Sequence, residues 1–220
     1  IADNIAYVGS TDGYLYALDA WNGDLIWKYK TGDLIESTPA IVNGKVYTGG
    51  DDGYVYCLSA VDGSLIWRQR PSPSDEKVLG NGRMISLWPI RTSVLVDRGV
   101  VYCGAGVFPY EGIYICALNA ADGSSVWKND TIGDRAHELS YGGISPHGYL
   151  LASDETLYVP AGRAMPAVGD QVPRGGVDAD VQRSRELALL APDVDEIAGI
   201  HHDIETLAER AAGRDNVDCI

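Results

Sequence analysis

The chain has 220 residues, 45% of them hydrophobic, and 31 acidic against 17 basic side chains give it a formal charge of −14. This excess of acids argues against a nucleic-acid or anionic-membrane partner, because phosphate binding requires clustered Lys and Arg. No apolar run approaches the roughly 18 residues of a membrane-spanning helix, so no membrane span is expected.

The first repeat predicts four short strands separated by turn signals. Ile5–Val8 and Tyr14–Leu18 are rich in β-branched and aromatic residues and are joined by an Asp-Gly turn. A third strand, Leu25–Lys28, follows an Asn-Gly turn, and a fourth, Thr38–Val42, precedes another. Four antiparallel strands with such turns are typical of a β-propeller blade.

The pattern returns along the chain. Each aromatic-Gly strand is followed by a related phrase: ALDAWNGDLIW at 17–27, CLSAVDGSLIW at 57–67 and ALNAADGSSVW at 117–127. The equivalent tyrosines, 40, 55 and 56 residues apart, are Tyr7, Tyr47, Tyr102 and Tyr158. We therefore predict an all-β, partial β-propeller of about three four-stranded blades plus the start of a fourth. Because propellers close with about four to eight blades, we expect residues 1–168 to be a fragment of a larger ring, whose missing blades would pair with the open edges.

The phrases resemble the tryptophan-docking motif of the pyrroloquinoline-quinone-like (PQQ-like) β-propeller repeat family, Ala-x-Asp-x-x-Thr-Gly-Lys-x-x-Trp. Glycine and tryptophan are kept in all three copies, alanine in the first and third, and aspartate in the first, with asparagine at its place in the third. The resemblance covers roughly residues 4–165. It identifies as structural docking residues Ala17, Asp19, Gly23, Trp27, Gly63, Trp67, Ala117, Asn119, Gly123 and Trp127.

The docking tryptophans are expected to lie between neighbouring blades. An indole is the largest flat apolar side chain, and a small alanine on one side with a glycine on the other leaves room for it. We therefore interpret Trp27, Trp67 and Trp127 as structural rather than catalytic or cofactor-stacking.

The longer connections all fall on one side of the predicted disc. From docking tryptophan to the next repeat tyrosine there are 20 residues in the first repeat but 35 and 31 in the next two, and the turn between Gly104 and Gly112 is four residues longer than that between Gly9 and Gly13. With the strands of an up-and-down blade lettered A to D, these are D-to-A and B-to-C connections, which share one face. Since loops on a rigid scaffold carry function, this loop face is the predicted binding surface for a protein or small-molecule ligand.

The loop face combines arginines with aromatic side chains, a mixture enriched at recognition sites. The alternative is that the long loops pack on one another and these side chains cap the core. The candidate ligand residues are Arg83, Trp88, Arg91, Phe108, Tyr110, Glu111, Arg135, His137, Glu138, Tyr141 and His147.

The resemblance implies two functions. Some members of the family use PQQ with calcium to oxidise alcohols or sugars, which requires hard oxygen ligands and a carboxylate base. Asp12, Asp51 and Asp52 could pass for calcium ligands, but they fall in hairpin turns where Asp-Gly is favoured by its backbone conformation. No catalytic, cofactor-binding or metal residue is therefore assigned.

The resemblance implies more readily a non-catalytic binding or scaffolding module in the extracytoplasmic space, periplasmic or secreted, as in the outer-membrane assembly lipoprotein propellers. The alternative is a fragment of a PQQ- and calcium-dependent quinoprotein alcohol or sugar dehydrogenase. The ligand itself is not identified by the sequence.

Three cysteines fall in predicted strands, where a small buried thiol is ordinary packing. Cys57 and Cys116 are in C strands and Cys103 is in a B strand. Cys103 and Cys116 lie on neighbouring strands of one hairpin, so a disulfide is geometrically conceivable in an oxidising compartment. No Cys/His spacing indicates zinc.

Residues 169–220 form a divergent acidic tail without Tyr, Trp, Phe or Lys and with 12 acids against 5 arginines. Helical periodicity at Asp180–Leu190 and Val194–Ala212 favours a helical pair. An out-of-frame translation is the other interpretation, because the blade pattern stops inside the fourth repeat and leaves the strand at Leu157–Pro160 without a partner. A metal site at His201, His202 and Asp203 is discounted for the same reason.

Overall fold

A computed structural model describes residues 1–80, 82–131, 145–153, 156–160 and 168–171. All lie in the first of two compact units, Ile1–Ala188. No helix in these ranges is long and apolar enough to cross a membrane. The strands are β1 (Ile5–Gly9), β2 (Tyr14–Asp19), β3 (Leu25–Lys30), β4 (Ala40–Val42), β5 (Lys45–Gly49), β6 (Val55–Ser59), β7 (Leu65–Gln69), β8 (Lys77–Gly80), β9 (Arg83–Ser86), β10 (Leu95–Asp97), β11 (Val100–Ala105), β12 (Tyr114–Asn119), β13 (Ser125–Asn129), β14 (Leu151–Ala152), β15 (Thr156–Val159) and β16 (Val168–Gln171).

The strands form four antiparallel sheets, which we call blades 1 to 4. Their strand orders are β1-β2-β3, β4-β5-β6-β7, β10-β11-β12-β13 and β14-β15-β16. A separate two-stranded hairpin, β8-β9, lies in the long connection between blades 2 and 3, and a short 3-10 turn occupies Pro109–Glu111. The predicted all-β partial propeller is confirmed.

The sequence repeat is offset by one strand from the structural blade. The strand predicted at Thr38–Val42 forms at Ala40–Val42, and it pairs with β5 rather than with the strands of its own repeat. The reason is the two-residue turn at Asn43 and Gly44, whose φ angles of 51° and 70° suit a tight hairpin between β4 and β5. Strand A of blades 2, 3 and 4 is thus the last strand of the preceding sequence repeat.

The fourth blade corrects a second expectation. The strand near Leu157 was predicted to lack a partner, yet β15 pairs with β14 on one side and with β16 on the other. β16 ends at Gln171, beyond the position at which the composition changes. The predicted helices at Asp180–Leu190 and Val194–Ala212, and the residues at 201–203, lie outside the described residues.

The hydrophobic core lies between successive blades. One buried cluster joins blades 1 and 2, a second joins blades 2 and 3, and a third joins blades 3 and 4. Each contains a docking tryptophan or has one packed against it. Because consecutive strands of a blade run in opposite directions, the B-to-C turns and the D-to-A connections lie at the same end of the blades, where they form the loop face.

Candidate functional site

The junction between blades 1 and 2 is built around Trp27. Its indole Nε1 donates a hydrogen bond to the carbonyl oxygen of Ala60 in the next blade, at 3.0 Å. A Cβ atom on Gly63 would lie 2.6 Å from Trp27 Cε3, so only a glycine admits the ring at this distance. On its own blade, Trp27 is paired in register with Ala17.

The junction between blades 2 and 3 repeats this arrangement. Trp67 Nε1 donates to the carbonyl oxygen of Ala120 at 3.2 Å, and a Cβ atom on Gly123 would lie 2.7 Å from Trp67 Cε3. Tyr47 stands 5.9 Å from the indole, ring centre to ring centre, and its hydroxyl donates to the same carbonyl. These residues join one blade to the next through the interior.

The remaining predicted docking residues are placed as follows. Asp19 and Asn119 cap the C-to-D turns, where their side-chain oxygens accept backbone N–H groups two residues further on. Trp127 packs with Tyr102 of its own blade and Ala117 opposes it in register. At Gly23, no described atom lies within 4 Å of the position that a Cβ would occupy.

A buried cluster of charges holds the loop face together. Asp51 is fully buried, and its carboxylate accepts hydrogen bonds from Arg91 Nε at 3.0 Å and Nη2 at 2.8 Å. Arg83 Nη2 reaches the same carboxylate at 3.3 Å. The bonds to Asp51 raise the pKa of the Arg91 guanidinium above its ordinary value. Outer carboxylates complete the cluster, Glu36 beside Arg91 and Asp33 beside Arg83.

Asp51 is a structural residue that the sequence interpretation missed, because Asp-Asp-Gly was assigned to the turn as a whole. In blade 1 the corresponding turn is Thr11-Asp12-Gly13. The Asp-Gly turn requires only Asp52, the counterpart of Asp12. The signal that Asp51 has a separate role is that it stands where blade 1 has Thr11.

Two of the predicted ligand residues are engaged inside the protein. Trp88 is buried; its Nε1 donates to the carbonyl oxygen of Glu111 at 2.7 Å, and its ring packs edge-on against Tyr114. Arg91 is held by Asp51, with its side chain 16% exposed. Both therefore support the loops, and any contact they make with a ligand is limited to a small exposed surface.

Other predicted residues reach the surface. Tyr110 is 75% exposed and Phe108 40%, and their ring centres are 5.6 Å apart. Arg83 is partly exposed, and His147 is exposed while its backbone N–H bonds to the carbonyl of Pro160. The predicted residues that lie outside the described part of the chain are Arg135, His137, Glu138 and Tyr141.

A cavity of about 120 Å³ opens between the β8-β9 hairpin and the B-to-C loop of blade 3. Its walls are mainly apolar, with Arg91 and Ser86 as polar members. The hairpin also exposes Leu79 and Met84, at 71% and 55%. The residues lining the cavity are Gly80, Ile85, Ser86, Leu87, Pro89, Arg91, Val107 and Phe108.

The three turn aspartates do not fit a calcium and PQQ site. Asp12 accepts the Tyr16 hydroxyl at 2.6 Å, Asp52 accepts the Tyr56 hydroxyl and a backbone N–H, and Asp51 is taken by two arginines. Burial raises the pKa of Asp52 despite these hydrogen bonds. Within the described ranges, no group of three or more His, Cys, Asp or Glu side chains is placed to hold a metal ion.

Antiparallel blades, docked at two successive junctions by a tryptophan over a glycine, define a β-propeller protein of the tryptophan-docking class. The family model described as outer membrane protein assembly factor BamB matches residues 11–169. The chain therefore belongs to this family of PQQ-like β-propeller repeats. A search of curated protein sequences finds no significant match.

Solved structures share the fold at low sequence identity. BamB from Moraxella catarrhalis is 20% identical with a TM-score of 0.56, and the match covers 76% of this chain and 46% of BamB. Quinohemoprotein alcohol dehydrogenase from Comamonas testosteroni is 23% identical with a TM-score of 0.56, covering 72% and 28%. The computationally designed Ika4 protein is 16% identical with a TM-score of 0.54, covering 78% and 88%. The chain thus spans less than half the length of the two natural proteins.

Proposed function

We propose that this chain is part of a non-catalytic, extracytoplasmic scaffold propeller that binds a protein partner through its loop face. The observation that carries the proposal is the exposure of apolar side chains on that face: Phe108 and Tyr110 beside the cavity, and Leu79 and Met84 on the outer side of the β8-β9 hairpin. Exposed apolar clusters on a folded protein mark interaction sites. The family description, an outer membrane protein assembly factor, supports a role in contacts with other proteins.

The size of the cavity favours a protein partner over a cofactor or a metabolite. Sites for small molecules usually enclose roughly 300–1,000 Å³, and this cavity has about 120 Å³. Such a volume suits the tip of one side chain from a partner, with Phe108 in its wall and Tyr110 exposed beside it. Buried anchors of this kind carry most of the binding energy at protein interfaces.

The loop face is also held rigid before any partner arrives. Asp51 fixes Arg91 at the cavity wall, and Trp88 ties the D-to-A connection to the B-to-C loop through Glu111. A surface that is already ordered loses less conformational entropy on binding. The buried contacts therefore serve recognition by positioning the exposed side chains.

The quinoprotein dehydrogenase alternative rests on likeness of fold alone. Its calcium would need hard oxygen ligands, and the candidate aspartates are already bound within the protein. It is tested by quinone-dependent dye reduction with PQQ, calcium and simple alcohols on the intact protein; sustained turnover would favour this alternative and overturn the scaffold proposal.

The direct test is site-specific photo-crosslinking in the cell envelope of the source organism. A p-benzoylphenylalanine replaces Tyr110 on the loop face or, as the matched control, Val61, which is 82% exposed in a C-to-D turn at the opposite end of its blade. We expect a discrete crosslinked protein from position 110 only, and we expect Leu79→Asp to remove it. Equal crosslinking from both positions, or none from position 110, would contradict the proposal.

A further inference from the structure

Blade 3 differs from blades 1 and 2 at one position where strands B and C face each other. In blades 1 and 2 the C-strand member of this pair is a tyrosine, whereas in blade 3 both members are cysteines. The equivalent register pairs are Val8 with Tyr16, Thr48 with Tyr56, and Cys103 with Cys116.

The tyrosines brace the B-to-C turns of their blades. The Tyr16 hydroxyl donates to Asp12, and the Tyr56 hydroxyl donates to Asp52, in each case four residues earlier in the turn. Blade 3 has Cys116 at the tyrosine position, and its B-to-C loop, residues 106–113, is longer. Cys116 therefore cannot supply the hydroxyl–carboxylate brace that this position gives the other two blades, although the loop carries Phe108 and Tyr110.

The two cysteines are placed to take over this role. They are directly opposite in the β11-β12 ladder, are 0% and 2% exposed, and belong to the same buried cluster. They form a hydrogen-bonded pair of the ladder, in the same register as the bond from Ala120 N–H to the Gly99 carbonyl. Such pairs have Cα atoms about 5.5 Å apart, within the roughly 4.4–6.8 Å that disulfides span. In the structure both are free thiols, and the two side chains already contact each other through a hydrogen bond.

We propose that Cys103 and Cys116 form a disulfide that closes the long B-to-C loop in place of the tyrosine–aspartate brace. The two thiols lose two protons and two electrons as the S–S bond forms. A dithiol oxidase or a small-molecule disulfide accepts the electrons and is reduced to thiols. The inference rests on the proposed function for the extracytoplasmic location, since disulfides persist in oxidising compartments.

The burial of both thiols determines the stage of folding at which the disulfide forms. The hydrogen bond to Cys103 and desolvation raise the pKa of the Cys116 thiol well above its ordinary value, so the folded dithiol holds little of the reactive thiolate. The disulfide therefore forms while strands B and C are still accessible during folding. Once buried, it is shielded from reductants, which suits a structural rather than a regulatory bond.

The test is thiol mapping of the full chain, secreted into an oxidising compartment and purified without reductant. The protein is denatured, treated with N-ethylmaleimide and digested with trypsin. Residues 99–128 form one tryptic peptide, which contains both cysteines. We expect this peptide to be unlabelled and two hydrogens lighter than its reduced form, whereas Cys57 and Cys219 are labelled. After reduction, all 4 cysteines should react.

Two variants control the assignment. Cys57→Ser should leave the mass of the 99–128 peptide unchanged, and Cys103→Ser should leave Cys116 labelled before reduction. Reduction should also speed hydrogen exchange in residues 106–113 of the parent but not of Cys103→Ser. Labelling of both cysteines in the parent, or a disulfide to Cys57 or Cys219, would overturn the inference. The chemistry is read without any partner, so this result is independent of the crosslinking result at Tyr110.

Discussion

The blade junctions and the loop face are held by different kinds of contact. Junctions 1–2 and 2–3 use the same atoms, a tryptophan Nε1 on a carbonyl oxygen and an indole face on a glycine, once with Trp27 and Gly63 and once with Trp67 and Gly123. The loop face depends on contacts that occur once, above all Asp51 with its two arginines. The repeated contacts hold one blade to the next, whereas the contacts that occur once fix the structure of the loop face.

The strongest test of the junction is a pair of tryptophans six residues apart. Trp27 is 8% exposed and Trp21 is 89% exposed. Trp27→Ala removes a buried indole and should lower the free energy of unfolding by about 4 kcal/mol, whereas Trp21→Ala should have little effect. Urea unfolding of both variants measures the difference. If the two variants were equally stable, docking would not hold the blades together.

The corresponding test on the loop face is Asp51→Ala. Removing a fully buried carboxylate leaves the guanidinium groups of Arg83 and Arg91 without their shared partner, and breaking such a pair should cost about 3 kcal/mol. Asp12→Ala, at the exposed turn of blade 1, is the matched control and should change stability far less. A loss confined to Asp51→Ala would show that one unrepeated contact matters as much as a junction; equal losses would place the effect in the turns themselves.

The same division explains what the sequence could predict. Trp27, Gly63, Trp67 and Gly123 stand in register across repeats, so their shared physical environment is visible without a structure. The partner of Asp51 lies 40 residues away, in a connection with no counterpart in blade 1, and no periodicity links the two. The β8-β9 hairpin lies between these extremes. An Asn-Gly dipeptide between two short segments with apolar residues, Val78-Leu79 and Met84-Ile85, marks it in the sequence, but the sequence interpretation treated the whole connection as a loop.

A finer test of the junction compares two glycines with the same backbone and different surroundings. Gly63 and Gly23 have φ angles of 71° and 78°, so an added Cβ strains both equally. Among the described residues, Gly63 contacts a docked indole and Gly23 contacts none. Gly63→Ala should therefore lower the free energy of unfolding by about 2 kcal/mol more than Gly23→Ala. Indistinguishable urea midpoints would mean that Trp27 can move aside without loss.

The smallest expected effect on stability concerns the turn carboxylates Asp12 and Asp52. Each accepts a tyrosine hydroxyl, but Asp12 is exposed and Asp52 is largely buried. The hydrogen bond from Tyr16 lowers the pKa of Asp12, whereas burial raises the pKa of Asp52. A raised acid pKa gives stability that is present below the unfolded value, about 3.9, and is lost as pH rises through the folded value. Asp52→Asn should thus gain stability relative to the parent between about pH 4 and pH 7. The Asp12→Asn difference should stay flat there, because the lowered pKa of Asp12 confines its change to lower pH. Urea unfolding at both pH values measures each difference, and parallel profiles for the two variants would show that burial at the junction does not distinguish the braces.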